Sequence, residues 1–253
     1  MPLMGRRSLL KGIGLAIAAP AIPALAQSPD RLRMAFNSHY APLCYLDASG
    51  KASGLMVEAL TMVGDMVNVA FDYVDRPWGR GQQMVRSGDL DAFCTPSTPD
   101  RRDYAMFTQN PLFTDPGMLL GRANDDRLVA GMSVNDLRRL KLGSQVGVDW
   151  PHALPADVEI EWVRDIGSLV AMVAAGRLDA TVLTGSVAKA ALADSPSAAQ
   201  LKVVPCTAVL AGQFRIGLRA SYPDAYNIVT RLDYAVQEIQ RSGAMQTLVS
   251  RYL

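Results

Sequence analysis

The chain has 253 residues, of which 49% are hydrophobic, 7% aromatic and 19% charged, and its formal net charge is +1 at pH 7. This composition excludes an intrinsically disordered chain, and the balanced charge excludes the basic surface that a nucleic-acid partner requires. No apolar run reaches the roughly 18 residues that a membrane-spanning helix needs. We therefore expect a globular chain, long enough for one large domain or two lobes.

Residues 1–26 have the layout of a secretory signal. Arg6-Arg7 and Lys11 precede an apolar run over 12–26, which ends in the small residues of Ala24-Leu25-Ala26. The adjacent arginines resemble a twin-arginine export signal, and the run is short for a membrane anchor. We expect a periplasmic protein that is cleaved near Ala26.

Strands and helices alternate along the rest of the chain. Alternating or apolar runs predict strands at 31–36, 69–74, 142–145 and 158–163 and one around Phe93, whereas helical periodicity predicts helices at 55–66 and 166–173. This order indicates an α/β protein with two mostly parallel sheets. Such sheets bind ligands beyond the carboxyl ends of their strands, so two facing sheets predict a cleft between them.

A short internal repeat supports two related halves. Residues 84–92 read Met-Val-Arg-Ser-Gly-Asp-Leu-Asp-Ala and residues 172–180 read Met-Val-Ala-Ala-Gly-Arg-Leu-Asp-Ala. In each copy a glycine ends a predicted helix, and Leu-Asp-Ala leads into a strand. We interpret the repeat as one αβ unit that is used in each of two lobes.

Several motifs, taken in order, resemble a known family. They are Tyr40-Ala41-Pro42 with Tyr45-Leu46-Asp47, Gly88-Asp89-Leu90-Asp91, Thr98-Pro99-Asp100-Arg101 before Phe107-Thr108, and the closing stretch 241–253. Together they are similar to the amino-acid-type periplasmic solute-binding proteins of ABC importers, the family 3 extracellular solute-binding proteins. The resemblance implies a two-lobed α/β fold of the type II periplasmic binding class, with an interlobe ligand cleft and a hinge of two crossing strands. Lobe 1 would comprise 27–115 and 212–253, and lobe 2 would comprise 116–211.

Arg101 is the first candidate for a ligand contact. Thr98 is a good helix N-cap and Pro99 suits the first helical position, so Arg101 would lie at a helix N-terminus, which attracts anions. A guanidinium also pairs bidentately with carboxylate. The resemblance implies that this arginine binds the ligand's carboxylate; the alternative is a surface arginine paired with Asp103.

The resemblance supplies further candidates in lobe 1. Tyr40 and Trp78 match aromatic positions that enclose a ligand side chain, although either ring could simply fill the core. Trp78 lies in a loop-like stretch, and Asn37 matches a polar position that contacts the far end of the ligand. His39 is as compatible with solvent as with the cleft.

Departures from the family pattern concern the ligand's ammonium group. The resembling proteins carry an acidic residue five positions after the aspartate that Asp179 matches, and here that position is Thr184, followed by Gly185. Asp149 either replaces this acid or caps the next helix. In lobe 1, Cys94 lies at the strand end where the resembling proteins usually have serines. A buried ammonium without a carboxylate is costly, so we expect a small organic carboxylate, aromatic or hydroxylated ligands included, in preference to an α-amino acid.

The favoured function is a non-enzymatic receptor whose closed form is recognised by an ABC permease. Two alternatives stay open at this stage. One is an accessory protein of a periplasmic quinoprotein alcohol or methanol dehydrogenase, and the other is a cyclohexadienyl dehydratase-like enzyme with Asp149 as its acid. We expect no cofactor and no metal site, since the two histidines, His39 and His152, are far apart in sequence.

Three cysteines remain, Cys44, Cys94 and Cys206. Cys44 and Cys94 are expected near the cleft of lobe 1. A disulfide between them is one alternative, but free thiols are favoured because unpaired cysteines commonly pack as small apolar residues.

Overall fold

The computed structural model describes residues 30–209 and 212–252, so the signal expected over 1–26 lies outside the described residues. The strands in this part of the chain are β1 (Asp30–Phe36), β2 (His39–Tyr40), β3 (Cys44–Leu46), β4 (Ala52–Ser53), β5 (Val69–Asp75), β6 (Ala92–Thr95), β7 (Ala105–Phe107), β8 (Phe113–Thr114), β9 (Gly117–Arg122), β10 (Leu142–Gln145), β11 (Ile160–Val163), β12 (Ala180–Thr184), β13 (Leu201–Pro205) and β14 (Gln213–Arg219). The helices are α1 (Leu55–Val67), α2 (Trp78–Ser87), α3 (Pro99–Arg102), α4 (Val134–Leu137), α5 (Ile166–Ala174), α6 (Gly185–Ala193), α7 (Ala225–Arg241) and α8 (Ala244–Val249). None of the helices described here is long and apolar enough to cross a membrane.

Two larger sheets share one plan. The first has the order β5-β1-β6-β14-β7, with β8 also paired to β14, and the second has the order β11-β10-β12-β9-β13. In each, a central strand (β1 or β10) pairs in parallel with two neighbours, and the next strand (β14 or β9) runs antiparallel. The α/β architecture expected from the alternation of elements is therefore confirmed, with one antiparallel crossover strand in each mainly parallel sheet.

The chain passes between the two sheets twice. It leaves the first sheet after β8, enters the second at β9, and returns between β13 and β14. The two connections meet where the backbone N–H of Asp115 donates to the carbonyl of Gly212 at 2.9 Å. We call the first sheet with its helices lobe 1 and the second with its helices lobe 2; the residue boundaries given above for the lobes stay a prediction.

Helices cover the sheets through periodic apolar faces. In α1 the buried positions include Leu55, Ala59, Leu60 and Val63, which recur at helical spacing and pack into the main hydrophobic core. That core also contains the buried face of α7. Because these helices lie on the flanks, the carboxyl ends of the central strands stay available for a site.

Most element predictions agree with the structure, and two were wrong in detail. The strand expected over 158–163 begins only at Ile160, because Val158 donates its N–H to the carbonyl of Pro155 in a turn. Trp78 was expected in a loop, but it is the first residue of α2, which follows Pro77 directly. Pro77 is the N-cap, and its carbonyl accepts the N–H of Gly81 at 3.0 Å, so the helix begins directly after the proline.

Candidate functional site

A cavity of about 580 Å³ lies between the lobes at the carboxyl ends of the central strands. Its wall includes the last residues of four strands: Phe36 of β1, Thr95 of β6, Gln145 of β10 and Thr184 of β12. Further lining from both lobes is mainly apolar, including Met56, Val148, Trp150 and Phe214. A concave, largely apolar cavity with a few polar groups is typical of a small-molecule site.

All eight residues that the sequence singled out line this cavity. They are Asn37, Tyr40, Trp78, Cys94, Thr98, Arg101, Asp149 and Thr184. Four side chains were missed: Gln82 and Asp115, which bond to Arg101 and Thr184, and Gln145 and Trp150, which line the same cavity. Only Trp150 carried a signal, as a tryptophan directly after Asp149; the others are polar residues whose partners lie far away in the sequence.

Arg101 is only 1% exposed. Its Nε donates to Gln82 Oε1 at 2.9 Å and its Nη1 donates to the Pro96 carbonyl at 2.9 Å. The guanidinium carbon lies 5.5 Å from the Trp78 ring centroid. The alternative of a surface arginine paired with Asp103 was therefore wrong; the exposed neighbour Arg102 is the surface arginine of the pair.

The local structure around Arg101 differs from expectation in one respect. Thr98 and Pro99 stand at the N-terminus of α3, as predicted, but Thr98 makes no side-chain capping bond and its buried hydroxyl has no hydrogen-bond partner. Pro99 has no N–H and the N–H of Arg102 donates to the Thr98 carbonyl, so few N–H groups of this four-residue helix need a cap. The Thr98 hydroxyl is a polar group in the cavity lining that is available to a ligand.

The partner of Arg101 across the cleft is Asp149. Arg101 Nη2 forms an ion pair with Asp149 Oδ2 and also donates to the Gly147 carbonyl at 3.4 Å. Burial raises the pKa of Asp149 and Arg101 partly offsets it, while burial lowers the pKa of Arg101. The structure thus places Arg101 against a carboxylate of the protein itself; its contact with a ligand stays a prediction.

Two further contacts hold the lobes together beside this pair. Gln82 Nε2 of lobe 1 donates to the Gly147 carbonyl of lobe 2 at 2.7 Å. The hydroxyls of Tyr40 and Thr184 lie 3.3 Å apart. Gly147 has φ 86, and a Cβ there would lie 2.8 Å from the Cα of Gly79, so only glycine allows the two backbones to approach this closely.

Asp115 lies in the first connection between the lobes and is 2% exposed. It accepts hydrogen bonds from the backbone N–H of Ser186 at 3.1 Å and from the Ser186 hydroxyl. These groups belong to the first turn of α6, which begins at Gly185. Burial raises the pKa of Asp115, and the hydrogen bonds from Ser186 partly offset the increase. The N-terminus of α6 is thus occupied by a carboxylate of the chain.

Asn37 and the cysteines complete the lobe 1 wall. Asn37 is buried; its Oδ1 accepts from the N–H of His39, and its carbonyl accepts from the Cys44 thiol at 3.1 Å. Cys44 and Cys94 both line the cavity, and all three cysteines are buried free thiols. Burial raises the pKa of Cys44 to about 12. In the described part of the chain no cluster of three His, Cys, Asp or Glu side chains could hold a metal ion.

The sequence pattern that defines the bacterial extracellular solute-binding proteins, family 3, matches residues 32–253. The chain belongs to this family. The family consists of binding proteins, as the sequence motifs suggested. No curated protein matches the chain significantly.

Several solved structures share the fold at low sequence identity. An ancestral arginine-binding protein bound to arginine is 19% identical over 90% of this chain and 100% of its own, with a TM-score of 0.75. ArtJ, an arginine-, lysine- and histidine-binding protein from Geobacillus stearothermophilus, is 16% identical over 88% and 95%, with a TM-score of 0.73. A Streptococcus pneumoniae ABC transporter substrate-binding protein bound to L-arginine is 20% identical over 88% and 94%, with a TM-score of 0.71. These likenesses establish the two-lobed fold.

Proposed function

We propose that the chain is a periplasmic receptor for an ABC importer, which captures a small, amino-acid-like or other carboxylate-bearing ligand between its lobes. The observation that carries the proposal is the cavity of about 580 Å³ whose wall is shared by both lobes. A ligand in such a place contacts both lobes at once and stabilises the closed form, which is the form a permease can distinguish.

The chemistry of the wall favours a ligand with an anionic end and an apolar or aromatic body. Arg101 is the only buried lysine or arginine side chain among the described residues, and it lies at the cavity. Tyr40 and Trp78 supply ring faces beside it. The relatives named above bind arginine or other amino acids, which supports a ligand with a carboxylate.

The ammonium end is where this chain departs from its relatives. Thr184, at the position where an acid was expected, is 1% exposed, and its hydroxyl lies beside that of Tyr40. A hydroxyl offsets only part of the cost of burying an ammonium. We therefore propose that an organic carboxylate binds more tightly than the matching α-amino acid.

Calorimetry with matched ligand pairs tests this function. The panel contains L-phenylalanine with 3-phenylpropanoate, L-glutamine with glutaramate, and L-arginine. Binding of at least one compound with a rise in melting temperature supports the receptor, since a ligand that binds only the native state stabilises it. Tighter binding of the amino acid in both pairs would contradict the preference for the deaminated compound.

The neighbouring arginines provide a matched control. Arg101→Ala should remove most of the binding, because a ligand carboxylate loses a charge-assisted pair. Arg102→Ala removes an exposed guanidinium one residue away and should leave binding unchanged. Equal losses in the two variants would show that the effect is general and not due to the cavity.

A further inference from the structure

The Arg101–Asp149 pair bridges the two lobes at the cavity. Arg101 belongs to α3 of lobe 1, whereas Asp149 follows β10 of lobe 2, and both line the cavity. Separation of the lobes must therefore separate the two charges. An ion pair inside one lobe would carry no such linkage to lobe movement.

The hydrogen-bonding capacity of Arg101 is nearly used up in this arrangement. A guanidinium has five N–H groups. Three hydrogen bonds go to Gln82, Pro96 and Gly147, and Nη2 also holds the Asp149 carboxylate. A ligand carboxylate cannot form a bidentate pair with Arg101 while Asp149 is in place.

The charge balance leads to the same conclusion. With Asp149 paired to Arg101, this buried centre is neutral. A ligand carboxylate added beside the intact pair would leave a net negative charge in a largely apolar cavity, which is costly. A ligand that replaces Asp149 on Arg101 avoids this cost if Asp149 moves towards solvent.

Asp149 is free to make that movement. Its side chain is 23% exposed, compared with 2% for Arg101, and it makes no capping bond to the short helical turn that follows it. Arg101 is its only side-chain partner among the ion pairs and hydrogen bonds described. The acid can therefore leave while the arginine stays fixed by Gln82 and Pro96.

We propose that Asp149 is an internal competitor of the ligand: its carboxylate takes the place of the ligand's carboxylate on Arg101, holds the free protein closed, and lowers the affinity for carboxylates. The competition for ligand rests on the proposed function. The closure of the free protein does not, and it is measured without any ligand.

Distance measurements between spin labels test the closure. The labels are placed on Ser87→Cys in lobe 1 and Glu161→Cys in lobe 2, both exposed positions, and the buried native thiols should not react. We expect one short distance in the otherwise unchanged protein and an added longer distance in Asp149→Asn. Asp157→Asn removes an exposed carboxylate from the same lobe and should leave the distance unchanged.

A second variant guards against a folding defect. Arg101→Gln removes the other partner and should open the free protein in the same way as Asp149→Asn. A lower melting temperature in both variants with an unchanged label distance would show that the pair is only structural and would overturn the proposal. A free wild-type protein that is already open would overturn it as well.

Ligand binding separates the two proposals. Asp149→Asn should bind 3-phenylpropanoate or glutaramate about tenfold more tightly, because a larger fraction of the free protein is competent to bind. Equal or weaker binding would contradict competition. If no compound binds either protein, the proposed function fails, while the label distance still decides whether Asp149 closes the lobes.

Discussion

The two lobes contain the same αβ unit but differ in the segment that follows it. In each, a glycine with positive φ (Gly88, Gly176) follows a helix, and the aspartate three residues later bonds to a backbone N–H within or just before the central strand. Asp91 accepts from the backbone N–H of Arg33 at 2.9 Å, and Asp179 accepts from that of Lys141 at 2.8 Å. The repeated residues thus maintain the sheet, and they lie away from the cavity.

The difference between the lobes begins where the shared unit ends. After β6 the chain continues through Pro96 to the short helix that carries Arg101, whereas after β12 it enters α6 directly. The N-terminus of α6 is already occupied by Asp115. Lobe 1 therefore offers the cation of Arg101 and lobe 2 offers the carboxylate of Asp149, which shows that related units can reach opposite electrostatic roles through a few residues beyond the repeat.

The repeated aspartates provide the strongest test of this comparison. Asp91 is 5% exposed and is bonded by Arg33 and Arg219, whereas Asp179 is 20% exposed and pairs with Arg122 and Arg127. We expect Asp91→Asn to lower the free energy of unfolding by about 3 kcal/mol, because a buried acceptor of charged hydrogen bonds is lost. Asp179→Asn should cost about 1 kcal/mol. Urea unfolding measures both, and equal costs would mean that burial does not distinguish the two copies.

The pH dependence gives the same comparison a second readout. Burial tends to raise the pKa of Asp91, but hydrogen bonds from Arg33 outweigh it and the pKa is lowered. A lowered pKa stabilises the fold above the unfolded pKa of about 3.9, and that stability is lost as the pH falls further. The difference in unfolding free energy between wild type and Asp91→Asn should be largest at pH 7 and should shrink below about pH 4. A free-energy difference that grows in acid would contradict the lowered pKa of Asp91.

Asp115 tests the contact between the first connection and the N-terminus of α6 in lobe 2. Asp115→Asn keeps the size of the side chain but removes the charge that faces the first turn of α6. We expect a loss of about 1 kcal/mol in unfolding free energy, because one accepting oxygen becomes an NH2 group that cannot accept from Ser186, while removal of a buried charge offsets part of this cost. Asp103→Asn, an exposed aspartate of lobe 1, is the control and should change little.

The repeated glycines should respond alike. Gly88 has φ 89 and Gly176 has φ 71, and the nearest atoms to an added Cβ are arginine nitrogens at 4.0 Å and 3.6 Å. Alanine at either position should cost about 1 kcal/mol through backbone strain alone. Gly167→Ala in α5, where φ is not positive, should be neutral or stabilising. If the loss of unfolding free energy in Gly88→Ala is several times that in Gly176→Ala, or the reverse, the two αβ units differ in their tolerance of strain.

The cysteines should show no difference between the lobes. Cys44 and Cys94 of lobe 1 and Cys206 of lobe 2 are buried, and burial raises the pKa of each thiol. Because the thiolate is the reactive form, iodoacetamide at pH 8 should modify none of them in the native protein and all three in urea. Mass spectrometry counts the additions, and an unmodified Cys44–Cys94 pair in urea would reveal a disulfide.

Periodicity was enough to predict the parallel strands β1, β5 and β10 and the helices α1 and α5, because apolar spacing is a local property of the sequence. It did not predict the antiparallel strands β9 and β14. The motif around Arg101, read with the family resemblance, correctly predicted a residue at the cavity. The Arg101–Asp149 pair could not be derived in this way. It joins residues 48 positions apart in different lobes, and it forms only when the lobes come together. Gln82 and Asp115 were not predicted either, because their partners are also distant in the sequence.

The Gly79–Gly147 contact sets how far the lobes can rotate towards each other. No side chain separates the two backbones there, and a Cβ on Gly147 would lie 2.8 Å from both Gly79 Cα and Gln82 Nε2. Any larger residue at position 147 would therefore act as a wedge and shift the resting angle between the lobes without touching the ligand. The angle between the lobes is thus limited by the smallest residue in the chain.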